Sequence, residues 1–199
     1  MSAFRIAAGL LPLVLAAALA SAAFAQQSPS PAAPGPAAAP RPAPETVAVL
    51  GPQPSLLGQY GEWGAYAAQS GGSKICFALA KPSSSQTTPA NKPRDSVYFF
   101  IASRPAENVR NEVSVIAGYA FKPATDATIE IGPAKFAMYT QNDGAWIKNV
   151  AEEARMVDAM RKGADVTVKG TSGRGTASTD QYSLKGLAQA LDKIEQECR

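Results

Sequence analysis

From residue 62 onward the chain alternates apolar and polar positions. Ile75, Phe77 and Leu79 form one such run, and Val97, Phe99 and Ile101 a second. Val113 and Val115, then Ile129 and Ile131, continue the period of two. Alternation over short runs, broken by Gly, Pro, Asn and Asp, predicts half-buried strands in an antiparallel arrangement. The run KFAMYTQNDGAWI at 135–147 predicts a hairpin turning on Asn142, Asp143 and Gly144. The stretch from Lys81 to Arg94, rich in Ser, Thr and Pro, reads as a long surface loop.

Two segments switch to the helical period. Val150, Ala154, Val157 and Met160 recur at three to four, with Glu152 and Glu153 in the first turn and Arg161 and Lys162 before Gly163. That charge order suits the helix dipole, and Gly163 is the expected C-terminal cap. Leu184, Leu187, Leu191 and Ile194 form a second stripe, with Ser183 as the expected N-cap. The predicted fold is mainly β, an antiparallel β-sandwich with two short helices in the C-terminal third.

The N-terminal quarter differs in kind. Arg5, an apolar run from Ile6 to Ala20 and the small residues Ala23 and Ala25 have the form of a secretory signal peptide, residues 1–25, cut before Gln26. Residues 26–54 hold nine prolines among Ala, Ser and Gln. Such a stretch buries too little apolar surface to offset the entropy of ordering, so it is expected to be a disordered linker. Residues 55–199 then make one domain of ordinary size. No transmembrane span is expected after signal cleavage, and a periplasmic or extracellular location follows.

Export changes the meaning of the cysteines. Cys76 and Cys198 are the two the chain contains, and a lone pair in an oxidising compartment reads as a disulfide closing a long loop. There is no histidine. With two thiols and no imidazole, a zinc site is excluded, as is the usual general base of a serine triad. No metal or other cofactor is expected.

The net charge of +3 is too balanced to make nucleic acid the expected partner. Arg161, Lys162, Lys169 and Arg174 are a mild basic cluster, with an anion-facing patch as one reading and a solvated surface as the other. Carboxylates at Glu130, Asp143, Glu152, Asp165 and Asp180 are raw material for a glycosidase pair, yet their spacing singles out none.

The run VKGTSGRGTASTDQYSL at 168–184 is the most distinctive local feature. A phosphate-gripping loop must open directly into a helix, whose free amides meet the anion. Here the residues after the glycines are β-prone, so a hairpin with Arg174 at its tip is expected, the glycines supplying positive φ. Arg174 then has three readings: solvated, paired with Asp180, or bound to an external anion. Trp63 and Trp146, with Tyr60, Tyr66 and Tyr139, are candidates for a sugar-stacking or protein-binding surface, although tryptophans in a sandwich more often fill the core.

Taken in order, Trp63, Cys76, the 98–105 segment ending Arg104-Pro105, NEVSV at 111–115, Gly118-Tyr119, Ile131-Gly132 and Ala145-Trp146 resemble the invasion-associated locus B family of exported bacterial proteins. MRKG at 160–163, GTSGRGT at 170–176, Asp180, YSL at 182–184 and Cys198 continue the resemblance. It implies a β-sandwich, a periplasmic or surface location and a namesake role in host-cell invasion and virulence. It carries over no catalytic residue. The long proline-rich leader and the Ser/Thr-rich insert at 82–93 depart from a minimal member. The expected function is therefore that of an exported, non-enzymatic protein that binds another protein or an envelope component. A carboxylate-dependent hydrolase and a small-ligand binder for sugars or anions are the alternatives.

Overall fold

The computed structural model describes residues 53–199. The expected signal peptide at 1–25 and nearly all of the expected linker at 26–54 lie outside the described residues. Among the described residues, no helix is long and apolar enough to cross a membrane.

Eleven strands among the described residues pair in one antiparallel series. In chain order they are β1 (Ser55–Tyr60), β2 (Trp63–Ser70), β3 (Ser73–Ala80), β4 (Ser84–Thr88), β5 (Tyr98–Arg104) and β6 (Val109–Ile116). β7 (Ala127–Ile131), β8 (Ala134–Gln141), β9 (Gly144–Ile147), β10 (Asp165–Thr171) and β11 (Ala177–Ser183) follow. Helix α1 (Glu153–Lys162) precedes β10, and α2 (Leu187–Glu197) follows β11. The spatial order is β1-β2-β3-β5-β6-β9-β8-β7-β10-β11-β4, with β1 and β4 as free edges, so the sheet does not close into a barrel.

The series folds over on itself. Phe99 on β5 meets Tyr182 on β11 edge-to-face at 5.3 Å, although many strands separate them in the ladder, and Trp63 on β2 packs against Phe99 at 5.7 Å. The molecule is thus the expected antiparallel sandwich with two C-terminal helices, its two layers belonging to one continuous ladder. Phe99, Ile101, Val113, Val115, Ile129 and Ile131 all face the core, so the alternation there points inward as predicted.

On β3 the alternation points the other way. Cys76, Ala78 and Ala80 are buried, while Ile75, Phe77 and Leu79 lie half-buried on the outer face. The reason is what β3 must carry. Helix α2 lays Leu187, Ala190, Leu191 and Ile194 over this part of the sheet, and small side chains beneath a helix allow the close approach that large ones would block. The larger residues turn outward, where Phe77 stacks on Tyr66 at 5.3 Å.

Cys76 and Cys198 are bonded, with Cα atoms 5.9 Å apart. The bond fixes the end of α2 to β3. Trp63, fully buried, donates its indole N–H to the Ser183 carbonyl at 2.9 Å and so ties β2 to the strand that leads into α2.

The helix ends depart from expectation. Val150 belongs to a short 3-10 turn, Val150–Glu152, and is 73% exposed, so the buried stripe of α1 is Met156, Val157 and Met160. Gly163 is the C-cap of α1 as expected, its N–H donating to Ala159 O at 2.8 Å, but it caps in an extended conformation at φ −79° and not with a positive φ. A Cβ there would sit 3.0 Å from both Ile131 and Leu184, so its smallness serves packing. The N-cap of α2 is Gly186 at φ +94°, and Ser183 remains in β11. A side chain on Gly186 would run into the Tyr60 carbonyl, which ties the start of α2 against the end of β1.

The 81–94 segment is not wholly loop. Its polar residues Ser84–Thr88 form β4, an edge strand paired with β11 from Ser84↔Gln181 to Thr88↔Ala177. An edge strand needs only its main chain to pair, and polar side chains suit a solvated edge. No apolar alternation announces it.

Candidate binding site

Three connections meet at one end of the sandwich: residues 89–97 between β4 and β5, 117–126 between β6 and β7, and the 172–176 turn of the β10–β11 hairpin. Their backbones lock together. Asp95 N donates to Gly118 O at 2.9 Å, Gly173 N to Ala120 O at 2.9 Å and Lys122 N to Thr171 O at 2.9 Å. Gly118, at φ +70°, passes so close to Asp95 that any Cβ would strike its carbonyl oxygen. Gly170 has a different purpose, because a Cβ there would lie 2.6 Å from the Phe121 ring and 2.8 Å from the Tyr119 hydroxyl. The glycine makes room for two aromatics. Gly175 is the glycine of the hairpin turn with positive φ, at +82°, while Ser172 Oγ accepts from Thr176 N at 3.1 Å. The hairpin with Arg174 at its tip is as predicted; positive φ is needed at one of its glycines.

Under these loops lies a buried ion pair that the spacing did not predict. Asp180, in the middle of β11 and 2% exposed, takes both terminal nitrogens of Arg94, with Nη1 to Oδ2 at 2.8 Å. Ser85 Oγ donates to Asp180 Oδ1 at 2.7 Å, and Arg94 Nη1 also reaches Ala117 O at 3.3 Å. The guanidinium lies 5.9 Å from the centre of the Tyr119 ring. A planar fork on a carboxylate is the arrangement that best repays removing two charges from water. Burial works against the Arg94 charge, but the hydrogen bond and proximity to Asp180 outweigh it and hold the guanidinium above its ordinary pKa. The Tyr119 phenol is pushed up by burial, against the hydrogen bond it shares with Ser178 Oγ at 2.6 Å. The Tyr182 hydroxyl, buried beside them without a partner, is pushed up further by burial.

Between the loops and above this pair opens a cleft of about 790 Å³, lined among others by Pro89, Lys92, Arg94, Tyr119, Arg174 and Thr176. Its volume falls in the range of small-molecule sites. Lys92 and Arg174 are exposed and, among the described residues, neither has an ion-pair partner. Arg94 is neutralised by Asp180, and the one further acid on the lining is Asp95.

The other sequence-derived candidates are dispersed. Arg174 does not pair with Asp180, whose carboxylate is occupied by Arg94. Arg161 bonds Asp192 at 2.8 Å, and Lys169 bonds Glu130 at 2.6 Å, so the basic cluster does not assemble into one patch. Lys135 and Lys169 together hold the half-buried Glu130 carboxylate below its usual value. Glu152 is engaged by Arg155, Asp143 sits in the β8–β9 turn and Asp165 opens β10. Trp63 presents no face to solvent. Trp146, half-buried, stacks on Tyr139 at 5.6 Å. With Tyr66, Phe77 and Phe100 it shares the outer face of the sheet, as the pairings Tyr66↔Phe77, Leu79↔Phe100, Phe100↔Ser114 and Ser114↔Trp146 require. Tyr60 packs against the core from β1.

The sequence matches the model of the invasion associated locus B (IalB) protein family over residues 63–195. The chain belongs to the IalB family. That span begins at Trp63 and includes all three loops of the cleft as well as the hairpin and most of α2. The fold is also similar to the crystal structure of invasion associated protein B from Bartonella henselae, with a TM-score of 0.51 at 16% identity, covering 72% of this chain and 97% of that one. No curated protein matches the sequence. The signals that could have located the cleft were the glycines at 118 and 170, each of which the fold uses for close approach, and the Pro-Arg-Asp step at 93–95. Residue spacing alone did not link Arg94 to a strand 86 positions away.

Proposed function

We propose that this IalB protein is an exported, non-enzymatic interaction protein of the periplasm or cell surface, which recognises another protein or an envelope component at the cleft above Arg94 and Asp180. In this reading residues 1–25 direct export and are removed, 26–54 are the Pro/Ala-rich linker, and 55–199 are the binding domain. The observation that carries it is the cleft itself, where three mutually bonded loops frame two cationic side chains that have no acidic partner among the described residues. A disulfide joining β3 to α2 supports an oxidising compartment. Recognition fits the chemistry of the lining better than turnover does. Arg94 and Tyr119 are held away from neutral pH, so each keeps one protonation state, whereas general acid–base work needs groups poised near the working pH. The names of the family and of the Bartonella henselae protein point to invasion as the setting.

The test is a photo-crosslinking residue placed at Thr176 on the cleft rim, with a second at the exposed Asp158 of α1 as control, each in cells exporting the full chain. A defined adduct from position 176 and none from 158 is expected. Equal labelling from both positions, or none from 176, contradicts the assignment.

A further inference from the structure

Deepening the reading of the cleft as a recognition site, we infer that its ligand is anionic: a carboxylate or phosphate group held between Lys92 and Arg174, on a body that rests against Pro89, Pro93 and Tyr119. The charges on the lining decide the sign. Arg94 and Asp180 cancel inside the wall, which leaves Lys92 and Arg174 against Asp95. The two cations come from loops at separate places in the chain, one beside β4 and one at the β10–β11 tip, so the fold has converged them on one cavity. Arg174 is carried by a turn whose backbone is fixed by Gly175 N to Ser172 O at 2.8 Å and Gly173 N to Ala120 O at 2.9 Å. The backbone that carries Arg174 is thus ordered before binding, so only the side chain itself has to be ordered on a ligand. An arginine fork matches carboxylate and phosphate equally well.

The wall between the cations is less polar. Pro89, Pro93, Tyr119 and Ala120 line the same cleft. Tyr119 is half-buried, its hydroxyl is committed to Ser178 and its ring is braced by Phe121 at 5.2 Å. This ring is a fixed surface on which a ring-shaped or aliphatic ligand body can lie. The ligand so described is amphipathic: one anionic group for Lys92 and Arg174, one compact body for the wall. A neutral ligand of the same body leaves the two cations without a new partner and binds more weakly.

The measurement is isothermal titration of the oxidised full chain at low salt with phenyl phosphate, phenyl glucuronide and neutral phenyl glucoside. One-site saturable binding is expected for at least one of the two anions, weakening as salt is raised, with the glucoside at least about tenfold weaker. Loss of one charge-assisted hydrogen bond sets that factor. Arg174→Gln and Lys92→Gln are each expected to weaken the anion about tenfold while leaving the melting temperature unchanged, because neither side chain bonds another group among the described residues. Arg161→Gln, whose side chain reaches α2 instead, is expected to leave binding unchanged. Preference for phosphate or for glucuronate then identifies the source of the charge. No saturation by either anion, equal binding of the neutral glucoside, or indifference to both cleft substitutions overturns the inference. The crosslinking at Thr176 reads occupancy whatever the partner's charge, so the two failures are distinguishable.

Discussion

Replacing Cys198 with serine is expected to destabilise the protein by about 3–5 kcal/mol, the range for losing a native disulfide across a long loop. The bond joins residues 122 positions apart and is buried at both ends. Without it the unfolded chain regains the freedom of nearly the whole domain, and α2 is held to β1, β2 and β3 by packing and by Lys74 of β3, which bonds the carbonyl and the carboxylate of Glu197. For a domain of this size the melting temperature should fall by about 10 °C. Reduction of the unaltered protein should produce a loss of similar size. A fall within about 2 °C would show that Leu187, Leu191 and Ile194 seat α2 without the covalent link.

The second large effect belongs to Asp180. Asp180→Asn removes the carboxylate from Arg94 while leaving the guanidinium under the loops, where its side chain is 9% exposed. Breaking a buried pair on one side costs about 3–5 kcal/mol because an uncompensated charge remains. One of the two oxygens that now accept from Arg94 and Ser85 becomes an NH2 donor, so the three hydrogen bonds can no longer all be made. Chemical denaturation is expected to show an earlier midpoint with an unchanged slope. Combining Asp180→Leu with Arg94→Met should recover most of the loss, since no charge is then stranded. A cost below about 1 kcal/mol for Asp180→Asn, or no recovery in the double variant, contradicts this account of the pair.

What was readable before the fold follows from which physical signals are local. The alternation of Val113 and Val115 or of Ile129 and Ile131 reports burial of one face, and both runs lie as expected. On β3 both faces carry apolar residues, so periodicity gives strand but not side; the choice is made by α2, which arrives from more than a hundred residues downstream. Strand β4 was invisible for a related reason. Its pairing uses the main chain, and Ser84–Thr88 resembles a loop in composition. The cysteine pair was legible because two sulfurs leave one pairing. The partner of Asp180 was not, because Arg174 and Arg94 are equally plausible until the hairpin's geometry carries Arg174 outward to the tip and the 89–97 connection folds Arg94 inward. The cleft is a product of tertiary structure, built where three loops converge, and its traces in the sequence are the glycines at 118 and 170 and the Pro-Arg-Asp step at 93–95.

The account stands or falls on where a ligand touches the protein. Amide chemical shifts followed during titration with phenyl phosphate or phenyl glucuronide read this directly, residue by residue, in the full oxidised chain. The account predicts that the perturbed residues cluster at 87–95, 118–120 and 172–176, with the helices and the Tyr139–Trp146 face unmoved. Shifts concentrated on the outer face of β8 and β9, with the three loops silent, would contradict it.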